Sequence, residues 1–232
     1  MASGGSWWRA ARLILIAAWV VAAGAAWWSA PRQTDVERAT ADIAAGRVVA
    51  YEWGAHWNDN GPDRWFSVPM LYGGGTAPTV FAWRTPDNRT HWIDTNGDAT
   101  QIAQLRASVA ESPSANVLAL STLINGIGLL FTVVFLGMIL AGRPPVIGTK
   151  WYWFWLFALV PFGLGLLYWT FREVPWTKPT VFPPLKDDGS EHRLRGLRGL
   201  VTAFLISVAV SFALYGLRAL LGEGIIPDLL SP

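Results

Sequence analysis

The chain has 232 residues, of which 52% are hydrophobic and only 15% charged, and it carries fifteen tryptophans; this composition fits a membrane protein better than a soluble globule. The absence of cysteine excludes disulfides, thiolate metal sites and cysteine nucleophiles. A net charge of +2 is too small for a nucleic-acid binder.

After an amino tail (residues 1–12), the first apolar run covers 13–30. Trp7 and Trp8 precede it and Trp27 and Trp28 close it, as interfacial indoles do. The distance from Trp8 to Trp27 corresponds to about 28 Å of helix, close to one hydrocarbon core. Arg9 and Arg12 before the run would also suit a signal peptide. The sequence Ser29-Ala30-Pro31 is a poor cleavage site, so a retained anchor is expected.

Residues 31–114 change character, with ten acidic residues against seven arginines. A small α+β domain, placed outside the cytoplasm, is expected here. Thr34–Ala45 has helical spacing, with Thr34-x-x-Glu37 as a capping box and Gly46 as a left-handed stop. Residues 47–53 read as a strand. Residues 79–84 and 89–94 read as two more, joined through Pro86-Asp87-Asn88 into a hairpin. Asp98–Glu111 follows as a second amphipathic helix. The stretch 56–78 is rich in Gly, Asn, Asp and Pro and reads as loop, with a possible short strand at 64–68. Five tryptophans (Trp53, Trp57, Trp65, Trp83 and Trp92) belong to this domain.

Three further apolar segments complete an expected set of four transmembrane helices: 115–141, 151–171 and 199–217. Within 151–171, Pro161, Gly163 and Gly165 interrupt the middle, and Pro161 frees a backbone carbonyl that something must satisfy. Between the last two segments lies a loop (172–198) that is Pro-rich at 175–184 and basic at 192–198. A carboxy tail (218–232) follows the fourth.

A span, a short helix, Gly46-Arg47-Val48 entering a strand, a hairpin, a closing helix and a second span together resemble the extracytoplasmic domain of FtsH-type membrane proteases. The likeness covers roughly residues 13–140 and rests on element order and one short motif. The chain has no Walker A sequence and no His-Glu-x-x-His, so the resemblance extends to the loop's architecture and not to ATPase or protease activity. The tract Lys150–Trp155 is also similar to tryptophan-rich spans of small multi-spanning bacterial membrane proteins, a likeness that carries no activity with it.

The basic residues give conflicting topology signals, of which the first span is expected to prevail, with both termini cytoplasmic. With four spans, the amino tail, loop 2 (142–150) and the carboxy tail share five basic residues, against six in loop 3 (172–198). If the first span dominates, both termini are cytoplasmic and loop 3 violates the positive-inside rule. The reverse orientation puts the acidic domain inside. A third arrangement makes Pro161 the tip of a re-entrant hairpin, leaving three true spans and loop 3 inside.

No catalytic, cofactor-binding or metal-ligating set emerges. His56, His91 and His192 lack a ligand pattern. The run Asp94–Asp98 has calcium-loop oxygens, but its glycine is misplaced and the twelfth position is Leu105. It reads as a turn into a helix cap. Gly73-Gly74-Gly75 lacks the lysine of a phosphate loop. The alanines Ala18, Ala22 and Ala26, and Ala203, Ser207 and Ser211, form small-residue stripes suited to helix packing or self-association.

The expected role is a non-catalytic accessory, assembly or sensing subunit in a bacterial cell membrane. Its partners would be the bilayer and a protein or envelope component met by the loop domain, with Trp57, Trp65 or Trp92 as candidate contacts. The alternative is a transport or membrane-enzyme component that uses Asn125 and the break at Pro161.

Overall fold

The structure, a computed structural model, describes residues 4–58, 66, 69–73, 78–109, 116–118, 120–141, 147–172 and 194–221. In chain order the elements are α1 (Gly4–Ser29), β1 (Arg32–Gln33), α2 (Val36–Ala44), β2 (Ala50–Gly54), β3 (His56–Asn58), β4 (Met70–Tyr72), β5 (Val80–Arg84), β6 (Thr90–Asp94), α3 (Ala99–Ser108), α4 (Ser121–Ala141), α5 (Lys150–Leu159), a 3-10 turn (Pro161–Gly163), α6 (Leu164–Arg172) and α7 (Gly196–Leu221). They fall into two compact units. One draws on 1–23, 63–66 and 125–213, the other on 24–62, 67–124 and 214–232.

Among the described residues, three helices are long and apolar enough to cross a membrane: Arg9–Ser29 within α1, Ser121–Leu140 within α4, and Gly196–Leu221. The fourth apolar segment is not the single helix that its composition predicts over 151–171. It is a bent pair, Lys150–Leu159 and Pro161–Arg172, between which the chain turns through 120°. The proline supplies the reason. It has no N–H to continue the helix, and it drives the preceding residue out of the helical region. Val160 is accordingly extended, at φ −79° and ψ 119°. Phe162 and Gly163 then both take left-handed φ values, 58° and 67°.

The helical unit closes around this bent pair. Tyr152, Trp153, Leu156 and Phe157 of α5, with Val160, Leu166 and Trp169, form one buried cluster with Leu15 of α1, Phe131, Phe135 and Met138 of α4, and Ala203 of α7. Phe135 meets Phe157 edge-on at 5.0 Å, and Trp153 lies 5.7 Å from Tyr168 across the bend.

The second unit holds a four-stranded sheet in the order β1-β6-β5-β2, with β1 parallel to β6 and the other pairs antiparallel. The expected hairpin is present as β5–β6, with Asn88 in a left-handed turn conformation at φ 62°. Side chains alternate across β5. Phe81 and Trp83 join Ala39, Ile93, Leu105 and Val109 on one face, while Val80 and Ala82 join Trp57, Val117 and Leu118 on the other. Asp98 caps α3 by accepting from the N–H groups of Thr100 and Gln101, as the spacing predicts.

Several local details differ from the sequence expectations. The cap of α2 is Asp35, which accepts from Arg38 N–H, and not Thr34. The stretch 56–78 contains β3 and β4, paired as a second small sheet. Residue Phe66 lies outside any strand, and the rest of 64–68 lies outside the described residues, as does the Pro-rich stretch 175–184. Helix α4 begins at Ser121, six residues later than the apolar run suggests. Val117 and Leu118 are buried against the sheet instead, and the Thr90 hydroxyl donates to Val117 C=O at 3.0 Å.

The polar centre of this unit is Asp42, fully buried on α2. It accepts from Arg47 Nε at 2.9 Å and Nη2 at 2.7 Å, and from Trp83 Nε1 at 3.0 Å. Arg38 lies 3.4 Å away one turn earlier. Burial works to raise the Asp42 carboxyl, but the hydrogen bonds from Trp83 and Arg47, together with the charges of Arg38 and Arg47, outweigh it and hold the group below its ordinary range. A depressed carboxyl adds stability that is full above its unfolded value and is lost as pH falls through its folded one. We therefore expect the unit to loosen under acid, with Asp42→Asn less stable at neutral pH and less acid-dependent. Hydrogen exchange of segment 36–44 in the detergent-solubilised chain measures both. Asp42→Ala, which strands the Trp83 N–H, should cost about 2–4 kcal/mol.

Candidate functional site

Two places combine unusual backbone with specific side-chain contacts. The first is the break between α5 and α6. With α5 ended at Leu159 ahead of Pro161, carbonyls at the break lack helical donors, and side chains from two other helices meet two of them, one at the end of α5 and one in the 3-10 turn. Trp19 Nε1, midway along α1, donates to Phe162 C=O at 2.7 Å. The Ser207 hydroxyl, midway along α7, donates to Leu159 C=O at 2.8 Å. Phe66 stacks on Phe162 with ring centroids 5.7 Å apart and meets Trp19 edge-on at 5.6 Å. Val160, Pro161 and Gly163 are buried.

Glycine allows the helices to approach this closely. A Cβ at Gly165 would lie 2.2 Å from Leu156 C=O oxygen, so α6 touches α5 backbone to backbone. On α7, a Cβ at Gly199 would lie 2.6 Å from Tyr152 Cα, and one at Gly196 would lie 2.8 Å from Trp151 Cβ. The seam on α7 is thus Gly199, Ala203 and Ser207, one turn earlier than the stripe read from sequence. On α1, Ala22 and Ala26 are buried, with Ala18 partly so.

The same helical unit holds Asn125 and Pro161. Asn125 is exposed on α4 whereas Pro161 is buried in the break.

The second place is the β3–β4 ribbon. His56 pairs with Tyr72, Trp57 with Leu71 and Asn58 with Met70. Trp57 and Leu71 point inward, where Trp57 meets Trp92 at 6.4 Å. Of the expected contact residues, Trp57 is therefore core, Trp92 is partly buried beside it, and Trp65 lies outside the described residues. The outward side chains are Met70, 65% exposed, and Tyr72, 55% exposed. Their alternation with Leu71 is a strand signal, but three residues were too few to stand out between glycine-rich flanks.

The end of α1 is tied to the β5–β6 turn in the same unit. Trp28 Nε1 donates to Asp87 C=O at 2.9 Å, and Arg89 lies over the Trp28 ring at 4.4 Å. Arg32 lies 5.4 Å over Trp27. Burial and the neighbouring Arg89 lower the Arg32 pKa, opposed by Asp87. His91 is buried against Trp83, ring centroids 5.6 Å apart, and burial lowers its pKa despite the pull of Asp42. Residues Asp94–Asp98 form a turn, with Asn96 N–H donating to Asp94 at 2.8 Å before the α3 cap. Among the described residues, no group of three or more His, Asp or Glu could hold a metal ion.

Compared with protein families, curated proteins and solved structures, the chain matches none. The functional reading therefore rests on these residues.

If the break is held as described, Gly165→Val should cost more than removing either hydrogen bond, because the clash is with backbone. We expect Ser207→Ala and Trp19→Phe each to cost about 0.6–1.7 kcal/mol, and Gly165→Val to exceed both by at least about 1 kcal/mol. Thermal unfolding of the three variants in one detergent ranks them.

Proposed function

We propose that this chain is a multi-pass protein of a bacterial cell membrane, with its amino terminus cytoplasmic and the α+β domain outside. In this reading it is an accessory, assembly or sensing subunit that binds a protein or envelope partner through that domain. The observation that carries the reading is the β3–β4 ribbon. Met70 and Tyr72 project outward from a strand whose one pairing, among the described residues, is with β3. An open strand edge with outward apolar side chains is a surface to which an extended segment of another protein can add. The tie of Trp28 to the β5–β6 turn supports the same reading, since it fixes the end of α1 to the domain that would bind.

The reading has a direct test. A photo-crosslinking amino acid at position 72 should trap a discrete adduct in living cells, and Met70→Glu should abolish it. The same probe at Thr100, exposed on α3, should trap none. Equal labelling at positions 72 and 100, or no adduct at 72, overturns the proposal.

A further inference from the structure

We infer that residues 150–172 form a re-entrant hairpin that returns to the face of the membrane it enters, so that the chain crosses three times. The amino tail, loop 2 and loop 3 then share one face, and the carboxy tail lies opposite. This rests on the membrane reading above and adds to it the path of the chain.

Length is the first argument. Helices α5 and α6 have ten and nine residues, about 15 Å and 13.5 Å of helix, each close to half of a ~30 Å hydrocarbon core. The 120° turn between them doubles the chain back.

Direction is the second and stronger argument. Gly196 lies on Trp151, Gly199 on Tyr152, and Ser207 bonds Leu159. Both numberings rise together, so α5 and α7 run parallel. Consecutive full spans run antiparallel. Backbone bonds fix the common start: Thr149 N–H donates to Leu194 C=O at 3.0 Å, and Leu194 N–H to Ile147 C=O at 3.1 Å. Lys150 Nζ donates to Ile139 C=O at 2.8 Å, which brings the end of α4 to the same level. Loop 2 ends and loop 3 ends together, on one face.

Depth agrees with both. The tip residue Phe162 bonds Trp19, the middle residue of the Arg9–Ser29 stretch, while Leu159 bonds Ser207 near the middle of α7. The hairpin therefore reaches half-way and stops.

Charge then ceases to conflict. With three crossings, ten of the eighteen basic residues lie in the amino tail and loops 2 and 3, and Arg218 alone lies in the carboxy tail. The long domain does not count in the rule. The basic face is the one that suits an anionic cytoplasmic leaflet.

The chain has no cysteine, so single cysteines can be read without background. Ser3→Cys, Thr100→Cys, Ser190→Cys and Ser231→Cys, each in the full chain, are exposed to a membrane-impermeant maleimide in spheroplasts. We expect Ser190→Cys to be shielded like Ser3→Cys, and Ser231→Cys to react like Thr100→Cys, each pair differing from the other by at least about tenfold. If Ser190→Cys groups with Thr100→Cys and Ser231→Cys with Ser3→Cys, the chain crosses four times and the hairpin is overturned. Release of the chain by alkaline carbonate would instead defeat the membrane reading itself, whatever the labelling pattern.

Discussion

A backbone carbonyl at the depth of a hydrocarbon core has no water to turn to, so a broken helix there survives only if other side chains meet it. In this chain the break at Pro161 is met from both sides, by the indole N–H of Trp19 and the hydroxyl of Ser207. These bonds reach Phe162 and Leu159 only if α1 and α7 lie close against the break. Gly199 permits that approach on α7, Gly165 lets α6 fold back onto α5, and the aromatic cluster of α5 and α6 fills the space around them. Phe162 would otherwise bear a left-handed conformation costing about 1–2 kcal/mol. Its bond to Trp19 and its stacking on Phe66 are what can offset that cost.

The α+β unit depends on a different kind of satisfaction. It is small and has no disulfide, so its apolar core alone gives limited stability. Asp42 adds a buried carboxylate tying α2 to β5 through Trp83 and to the following turn through Arg47. A buried charge is tolerable only when its lone pairs are filled, and here three donors fill them. Because Arg47 is about half exposed, its charge is not itself stranded, which lessens the desolvation cost of the pair.

What could be read from the sequence was local. The β5–β6 hairpin, the Asp98 cap and the stop at Gly46, where φ is 64°, are set by turn and cap chemistry within a few residues. The capping residue of α2 slipped by one because Thr34 and Asp35 are both good caps, and which one bonds depends on where β1 pairs with β6. Val117 and Leu118 read as membrane because they are apolar and adjoin an apolar run, yet the sheet buries them. Asp42 stood out only by its i,i+4 spacing from Arg38, since the donors that fill its lone pairs come from 5 and 41 residues away. Pro161 did mark a break, but a proline alone does not distinguish a kinked span from a hairpin. That distinction lies in the contacts of α5 with α7.

The tryptophans show the same division between local and distant causes. Those flanking an apolar run read as interfacial, and Trp28, at the end of α1, puts its N–H on the β5–β6 turn carbonyl of Asp87. Trp19 sits in the middle of the run instead, where an unpartnered indole N–H would be costly. Its bond to Phe162 removes that cost and satisfies the break at once. The hydroxyls of Thr132, Thr170 and Ser211 donate instead to carbonyls three or four residues back in their own helices. Each is thereby satisfied within its own helix, whereas Trp19 and Ser207 reach across to the break.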